Sequence, residues 1–305
     1  MTKILELPGT LPAEISDQQE RARWCCARLE EGNILFFPNL PFELPDEEIQ
    51  FLLTQQQSGA RLHKNLAYRP AEDRLTGYAG GDAAQVTQLR NVMHGYSQRV
   101  TRFISELLAP YARRWRVDFA SFRPQQEKGR QLRLRARNDL LHVDSFPTRP
   151  SNGDRILRVF TNLNPREPRV WNTSETFETL AERFAGSAGM PLPKSFAAPR
   201  RTVLKLARAA GLGSLARSPY DRWMLRFHHF LKANEDFQST SPRSRWEFPP
   251  RSTWLVFTDM VSHAVCSGQF ALEQTFIISR DSLVLPEKAP VRILERLAGC
   301  TLTLD

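Results

Sequence analysis

Leu140-Leu141-His142-Val143-Asp144 places a histidine and an aspartate two residues apart behind an apolar pair. In an extended chain that spacing turns both side chains to one face, so an imidazole and a carboxylate can chelate a single ion. A further histidine, His263, sits in the strand-like run Asp259-Met-Val-Ser-His-Ala-Val, ahead of Gly268 and a last long strand. Two histidines and one carboxylate leave open positions on a metal, the arrangement with which non-haem Fe(II) oxygenases bind a cosubstrate and O2 together. The same three residues also suit a bland role as hydrogen-bonded polar groups of the core. The other histidines fit a metal less well. His63 and His94 fall in a helical front half and His228-His229 in a basic segment, and they read as surface or packing residues.

The elements that must carry these residues follow from periodicity. Helical spacing predicts helices over 17–31, after Pro45, and over 86–114, where Leu89, Val92, Met93, Tyr96, Val100, Phe103 and Leu107 form an apolar stripe. Asn33 to Pro38 reads as a strand. Gln131 to Arg137 alternates, with Leu132, Leu134 and Ala136 on one face and Arg133, Arg135 and Arg137 on the other, which predicts another. Further strands are expected at 156–163, 254–257, 263–265 and 271–279. Helices followed by short strands imply an α+β fold with an antiparallel β core. Between the strands, Asn172 is expected to cap a helix through Phe184, and a basic helix to run from Thr202 to Ala233. The 305 residues are thus read as one domain: mainly helical support (1–125), β core (126–170 and 246–285) and a helical insertion (171–245).

Composition narrows the function. With 41% apolar and 25% charged residues the chain is globular. The first residues lack the apolar stretch of a signal peptide and no run approaches the roughly 20 apolar residues of a membrane span, so a cytoplasmic location is expected. Cys25, Cys26, Cys266 and Cys300 match neither a disulfide framework nor a zinc site and read as free thiols. Charge is uneven. Residues 111–137 hold nine Lys/Arg against two acids and residues 194–251 twelve against four, while the whole chain is only +9. Two basic segments on an acidic body point to an anionic partner.

The stretch from His142 through Asp144-Ser-Phe-Pro to Asn164-Pro165, together with Trp254 to Val265, resembles the Fe(II)/2-oxoglutarate dioxygenase superfamily. Taken with Gly268-Gln-Phe-Ala-Leu-Glu-Gln-Thr-Phe-Ile, these stretches are similar to the Kdo (3-deoxy-D-manno-oct-2-ulosonic acid) hydroxylase family over nearly the whole chain. The resemblance implies a double-stranded β-helix (jelly-roll) core, with Fe(II) held by His142, Asp144 and His263. It implies 2-oxoglutarate and O2 as cosubstrates, ascorbate as a support, and hydroxylation of the Kdo sugar of Kdo-lipid A to Ko. Many superfamily members carry a basic anchor about ten residues after the distal histidine, where this chain has Glu273. Arg158 is therefore the favoured partner for the 2-oxoglutarate carboxylate, with Arg155 and Gln274 as alternatives. Arg133, Arg135 and Arg137 are candidates for the anionic substrate. The basic, apolar helix of the insertion suits contact with an anionic membrane surface. Rival readings are an oxygenase of protein side chains or small anionic metabolites, and a non-enzymatic basic jelly-roll that binds membrane or nucleic acid. The metal residues cannot separate the enzyme readings, and it is the family resemblance that favours the glycolipid; a binding module explains neither the HxD pair nor His263, so no nucleic-acid partner is expected.

Overall fold

The computed structural model describes residues 2–13, 15–55, 66–78, 82–210, 212 and 216–304; His63 lies outside them. Along the chain run β1 (Ile4–Glu6), α1 (Gln18–Glu30), β2 (Ile34–Phe37), α2 (Asp46–Leu53), β3 (Leu66–Arg69), β4 (Arg74–Thr76), α3 (Ala83–Leu107), β5 (Trp115–Arg123), β6 (Arg155–Asn162) and β7 (Arg169–Thr176). There follow α4 (Phe177–Phe184), α5 (Ala198–Ala209), α6 (Pro219–Ala233), α7 (Glu235–Thr240), β8 (Ser244–Phe248), β9 (Thr253–Phe257), β10 (Val261–Ser267), β11 (Ala271–Ile278) and α8 (Pro290–Ala298).

Eight strands form one sheet in the order β1-β2-β9-β6-β11-β5-β3-β4, and three form another, β10-β7-β8. Only the β1–β2 pair is parallel. Alternation along the strands gives the large sheet two different faces. Leu157, Val159, Leu255, Phe257, Leu272 and Phe276 turn to the helices, joining Cys25, Cys26 and Leu29 of α1 and Met93, Tyr96 and Val100 of α3 in the main core. Phe160, Trp254 and Val256 turn the other way, against Trp171, Phe248, Val261 and Val265 of the small sheet. There Phe248 stacks on Trp254 at 3.9 Å and Trp171 meets Trp254 edge-on at 5.6 Å. The fold is α+β, as expected. Among the described residues no helix is long and apolar enough to cross a membrane.

Four local expectations are corrected. Gln131 to Arg137 is no strand: it is an exposed loop with one 3-10 turn at Leu134–Ala136, because its alternating residues find no strand edge to pair with among the described residues. The front of the chain also supplies β5, which lies inside the large sheet between β11 and β3. The helix expected to reach 114 stops at Leu107, and Pro110 sits in the 3-10 turn that releases the chain into β5. Asn172 lies within β7, paired with Arg245 and Ala264, and the helix starts only at Phe177. The basic stretch from 202 to 233 is two helices rather than one. Pro219 opens α6, and Ser218 caps it through a reciprocal capping box with Asp221. The two halves differ sharply. No residue of α5 is buried, and Val203 and Leu206 are 64% and 65% exposed. By contrast, α6 buries Trp223, Met224, Phe227 and Leu231 in the main core.

Candidate metal centre

Backbone pairing, rather than side-chain reach, brings the two halves of the site together. His142 and His263 form an antiparallel bridge, the amide of each donating to the carbonyl of the other at 3.1 and 2.9 Å. Two residues on, the Asp144 amide donates to the Thr258 carbonyl at 2.8 Å, in the turn from β9 to β10. The predicted strand at 140–144 is thus reduced to a single bridge, but its consequence holds: His142 Nε2 lies 3.6 Å from Asp144 Oδ1. The His142 and His263 rings are 4.7 Å apart, and His263 is backed by Trp171, stacked at 5.1 Å.

A fourth group joins these three. His228, from α6, has its ring 4.9 Å from that of His142, and donor atoms of His142, Asp144 and His228 all lie within 4.8 Å of one another. Of the two readings expected for His228, surface or packing, the structure gives the buried one: the residue is 8% exposed and its ring faces that of His142. His229 is half-buried, and His94 bonds Tyr68 through Nδ1 at 2.6 Å, remote from this cluster in the fold. Phe227-His-His-Phe carries no ligand spacing, so nothing in the motif itself marks His228. The legible signal is subtler: two basic residues four apart, His228 and Lys232, on a helix whose stripe is otherwise apolar.

The imidazoles are chemically ready for a cation. His142 Nδ1 faces the Leu140 carbonyl at 2.7 Å, His263 Nδ1 that of Val261 at 2.8 Å and His228 Nδ1 that of Val143 at 2.7 Å. Because a carbonyl only accepts, each Nδ1 must carry the proton and each Nε2 a free lone pair. Burial pushes all three rings below the ordinary histidine range, His263 to about 3 with the neighbouring His142 adding to the effect, so all are neutral at pH 7. Burial alone would raise Asp144, but the Arg158 guanidinium and the surrounding histidines outweigh it and hold the carboxyl well below its usual range. Asp144 Oδ2 lies 3.1 Å from Arg158 Nη1 as an ion pair, yet it is buried with no hydrogen bond. Neutral imidazoles, an ionised carboxylate and an orphaned carboxylate oxygen fit a divalent metal.

Beside the centre, the inner face of the large sheet carries a groove of arginines. Glu273 on β11 is bracketed by Arg158 of β6, with Nε 3.2 Å from Oε1, and Arg123 of β5, with Nη2 2.5 Å from Oε2. Arg69, Arg74 and Arg149 complete a cavity of about 470 Å³ that also holds Phe119, Ser121 and Thr275. The positive charge missing at position 273 thus arrives from the strands on either side. Only Arg158 of this group was legible in the sequence, since the others sit on β3, β4, β5 and a loop that share no motif.

The alternatives to Arg158 do not reach the groove. Arg155 is fully buried on the opposite face of β6, where Nε and Nη2 bind both oxygens of Asp259 at 2.9 and 3.2 Å and the guanidinium lies 4.1 Å from the Phe257 ring. Gln274 also points to the opposite face, its amide donating to the carbonyls of Asp118 and Thr275. Arg133, Arg135 and Arg137 lie in the loop that leads to His142. Arg133 and Arg135 are exposed, and Arg137 is held by Asp139 at 2.6 Å.

Comparison with known proteins agrees with this geometry. A family model described as 3-deoxy-D-manno-oct-2-ulosonic acid (Kdo) hydroxylase matches residues 13–301. The apo structure of the Kdo hydroxylase KdoO, a non-haem Fe(II) α-ketoglutarate-dependent dioxygenase, is 35% identical, with a TM-score of 0.81 over 99% of this chain and 97% of that one. KdoO in complex with α-ketoglutarate and Fe(III) gives 34% identity and a TM-score of 0.81 over the same shares. Its cobalt(II) complex gives 35% and 0.81 over 98% of this chain and 97% of that one. No match is found among curated proteins. With a buried cluster of histidines and an aspartate beside an arginine groove, and a family model that spans all but the ends of the sequence, the chain belongs to the Kdo hydroxylase family.

Proposed function

We propose that this protein is an Fe(II)- and 2-oxoglutarate-dependent oxygenase that hydroxylates the Kdo sugar of Kdo-lipid A to give Ko. The observation that carries the reading is the union of His142, Asp144 and His263 through one backbone bridge, with Asp144 Oδ2 buried and held only by its ion pair with Arg158. These three residues would hold the iron, and the facing sheets would form the jelly-roll core of the superfamily. His142 and His263 are preferred over His228 because strand pairing fixes both, whereas His228 arrives on α6 from the segment between β7 and β8. Iron, 2-oxoglutarate and O2 together supply the oxidising power that replaces a C–H bond by C–OH, with succinate and CO2 as co-products, and ascorbate is expected to sustain turnover.

The chain's own groups bind and orient. Arg158 presents a guanidinium fork to a cosubstrate carboxylate, exchanging part of its present pairing with Asp144 and Glu273. The loop carrying Arg133, Arg135 and Arg137 packs on α6, where Lys232 donates to the Arg135 carbonyl, and its exposed arginines would meet an anionic glycolipid. Among the helices, α5 is the one suited to a membrane surface, with exposed Val203 and Leu206 beside Arg201, Lys205 and Arg208. That surface would be the inner face of the cytoplasmic membrane.

The test is succinate formation by Fe(II)-loaded protein with 2-oxoglutarate and O2, with and without Kdo-lipid A, followed by mass analysis of the sugar. Substrate-stimulated succinate with a gain of one oxygen, lost in His142→Ala, is expected. Turnover that Kdo-lipid A does not stimulate would discard the glycolipid.

A further inference from the structure

Helix α6 turns two basic groups inward among apolar ones. His228 and Lys232 are four residues apart and so occupy one face, one turn above the other. His228 is accounted for by its ring contact with His142, but Lys232 is not. The lysine is 4% exposed, and its Nζ donates to the Arg135 carbonyl at 3.2 Å. Among the described residues no carboxylate is in ion-pair contact with it. The acids that sense its charge are Asp144 and Asp139. The first is committed to the metal centre and the second is bound by Arg137. Loading the centre with a dication therefore leaves Lys232 more in need of an anion, since a buried charge with no counter-charge is costly.

The proposed reaction brings two acids to the site, a dicarboxylate cosubstrate and a sugar acid, and the fold offers basic groups from two separate elements, Arg158 of β6 and Lys232 of α6. We propose that Lys232 binds the carboxylate of the Kdo sugar, an inference that rests on the functional reading above. In a 3-deoxy-2-ulosonic acid the carboxylate carbon is attached to C2, and the deoxygenated C3 is the next atom along. Fixing the carboxylate therefore holds the carbon to be hydroxylated within two bonds of the anchor. Lys232 is a specificity residue in this role and takes no part in the chemistry at the metal.

The test pairs a variant with a modified substrate. Lys232→Gln can still donate to the Arg135 carbonyl, so it removes the charge and keeps the hydrogen bond. The probes are Kdo-lipid A in mixed micelles and the same glycolipid with its sugar carboxylate converted to the methyl ester. Binding is read as the change each causes in the absorption of the anaerobic Fe(II) and 2-oxoglutarate-loaded protein. The wild type should lose on the order of 10- to 100-fold in affinity for the ester, the worth of one charged hydrogen bond. Lys232→Gln should lose as much towards the acid, show no further loss towards the ester, and keep its Co(II) affinity within about twofold. Lys232→Arg should restore part of the discrimination.

Persistence of full acid-over-ester discrimination in Lys232→Gln would overturn the anchor while leaving the glycolipid reading intact. Equal weakening of both probes in that variant, with discrimination unchanged, would do the same and assign Lys232 a structural role. A wild type that binds neither probe would sink the glycolipid reading and the anchor with it.

Discussion

Three buried imidazoles, each oriented by a main-chain carbonyl, make the residue scale unusually explicit about what each substitution should do. His142→Ala and His263→Ala should weaken Co(II) binding by more than about 100-fold, beyond the 10- to 100-fold typical of an outer partner. His228→Ala should cost less than about tenfold. Calorimetric titration of the apo-protein distinguishes these outcomes, and a collapse of affinity in His228→Ala alone would reassign the third ligand. At Arg158, Lys keeps the charge but loses the fork, so Arg158→Lys should raise KM for 2-oxoglutarate by roughly tenfold or more with iron binding retained. An unchanged KM would move the cosubstrate to Arg123 or Arg149. The HxD motif and His263 were readable in the sequence because strand alternation converts spacing into a shared face. Lys232 and His228 leave only the faint trace of two basic residues four apart on an apolar stripe, because a buried basic residue on a helix looks much the same in sequence as one that snorkels to solvent.

At the scale of elements, the hairpin from β10 to β11 connects a proposed ligand to the arginine groove, and its turn is constrained. Gly268 has φ +127°, and a Cβ there would lie 2.7 Å from Arg169 Cγ and 3.0 Å from its Cα. The Gly268 carbonyl also accepts from Arg169 Nη1 at 3.2 Å and the Glu127 amide at 3.1 Å. Gly268→Ala should therefore cost about 1–3 kcal/mol, read as a drop in Tm of several degrees. Helix α5 invites the opposite kind of experiment, because its Val203 and Leu206 are exposed. Val203→Glu with Leu206→Glu should abolish sedimentation with anionic phospholipid vesicles while leaving substrate-free succinate formation unchanged, and retained sedimentation would discard α5 as the membrane contact. These elements also show where periodicity succeeds and fails. Helices α1, α2 and α3 are legible because each buries one regular face, and strands β6, β9, β10 and β11 because they are short apolar runs buried on both faces. The arginine alternation at 131–137 has the same pattern but no neighbouring edge, and β5 is hidden by its place directly after a long helix. Asn172, a good capping residue by type, serves in β7 because cross-strand pairing to β8 and β10 overrides local preference.

Over the whole molecule, one hydrophobic core runs from Leu7 to Leu302 and includes α1, α3, α6, α8 and one face of the large sheet. Unfolding should accordingly be a single transition whose stability falls in acid. His142, His228 and His263 have folded pKa values below the unfolded value, so the unfolded chain binds more protons at low pH. Their contribution is fully present above about pH 6.5 and is lost as pH falls through that value towards the folded pKa, about 3 for His263. The slope reaches about 1.4 kcal/mol per pH unit for each ring. Thermal melts of the apo-protein between pH 7 and pH 5 check this, and His228→Gln should flatten the dependence by one ring's share.

The backbone bridge between His142 and His263 has a consequence for how such an enzyme can change over time. Because hydrogen-bond register sets the distance between these two side chains, the number of residues joining them is immaterial to the metal. Within the stretch from 177 to 243, α5 buries no residue and is therefore open to replacement, whereas α6 is fixed in the core and Gln238 holds Leu141 beside the centre. A new surface can thus be acquired by exchanging α5 while the oxidising centre is inherited unaltered.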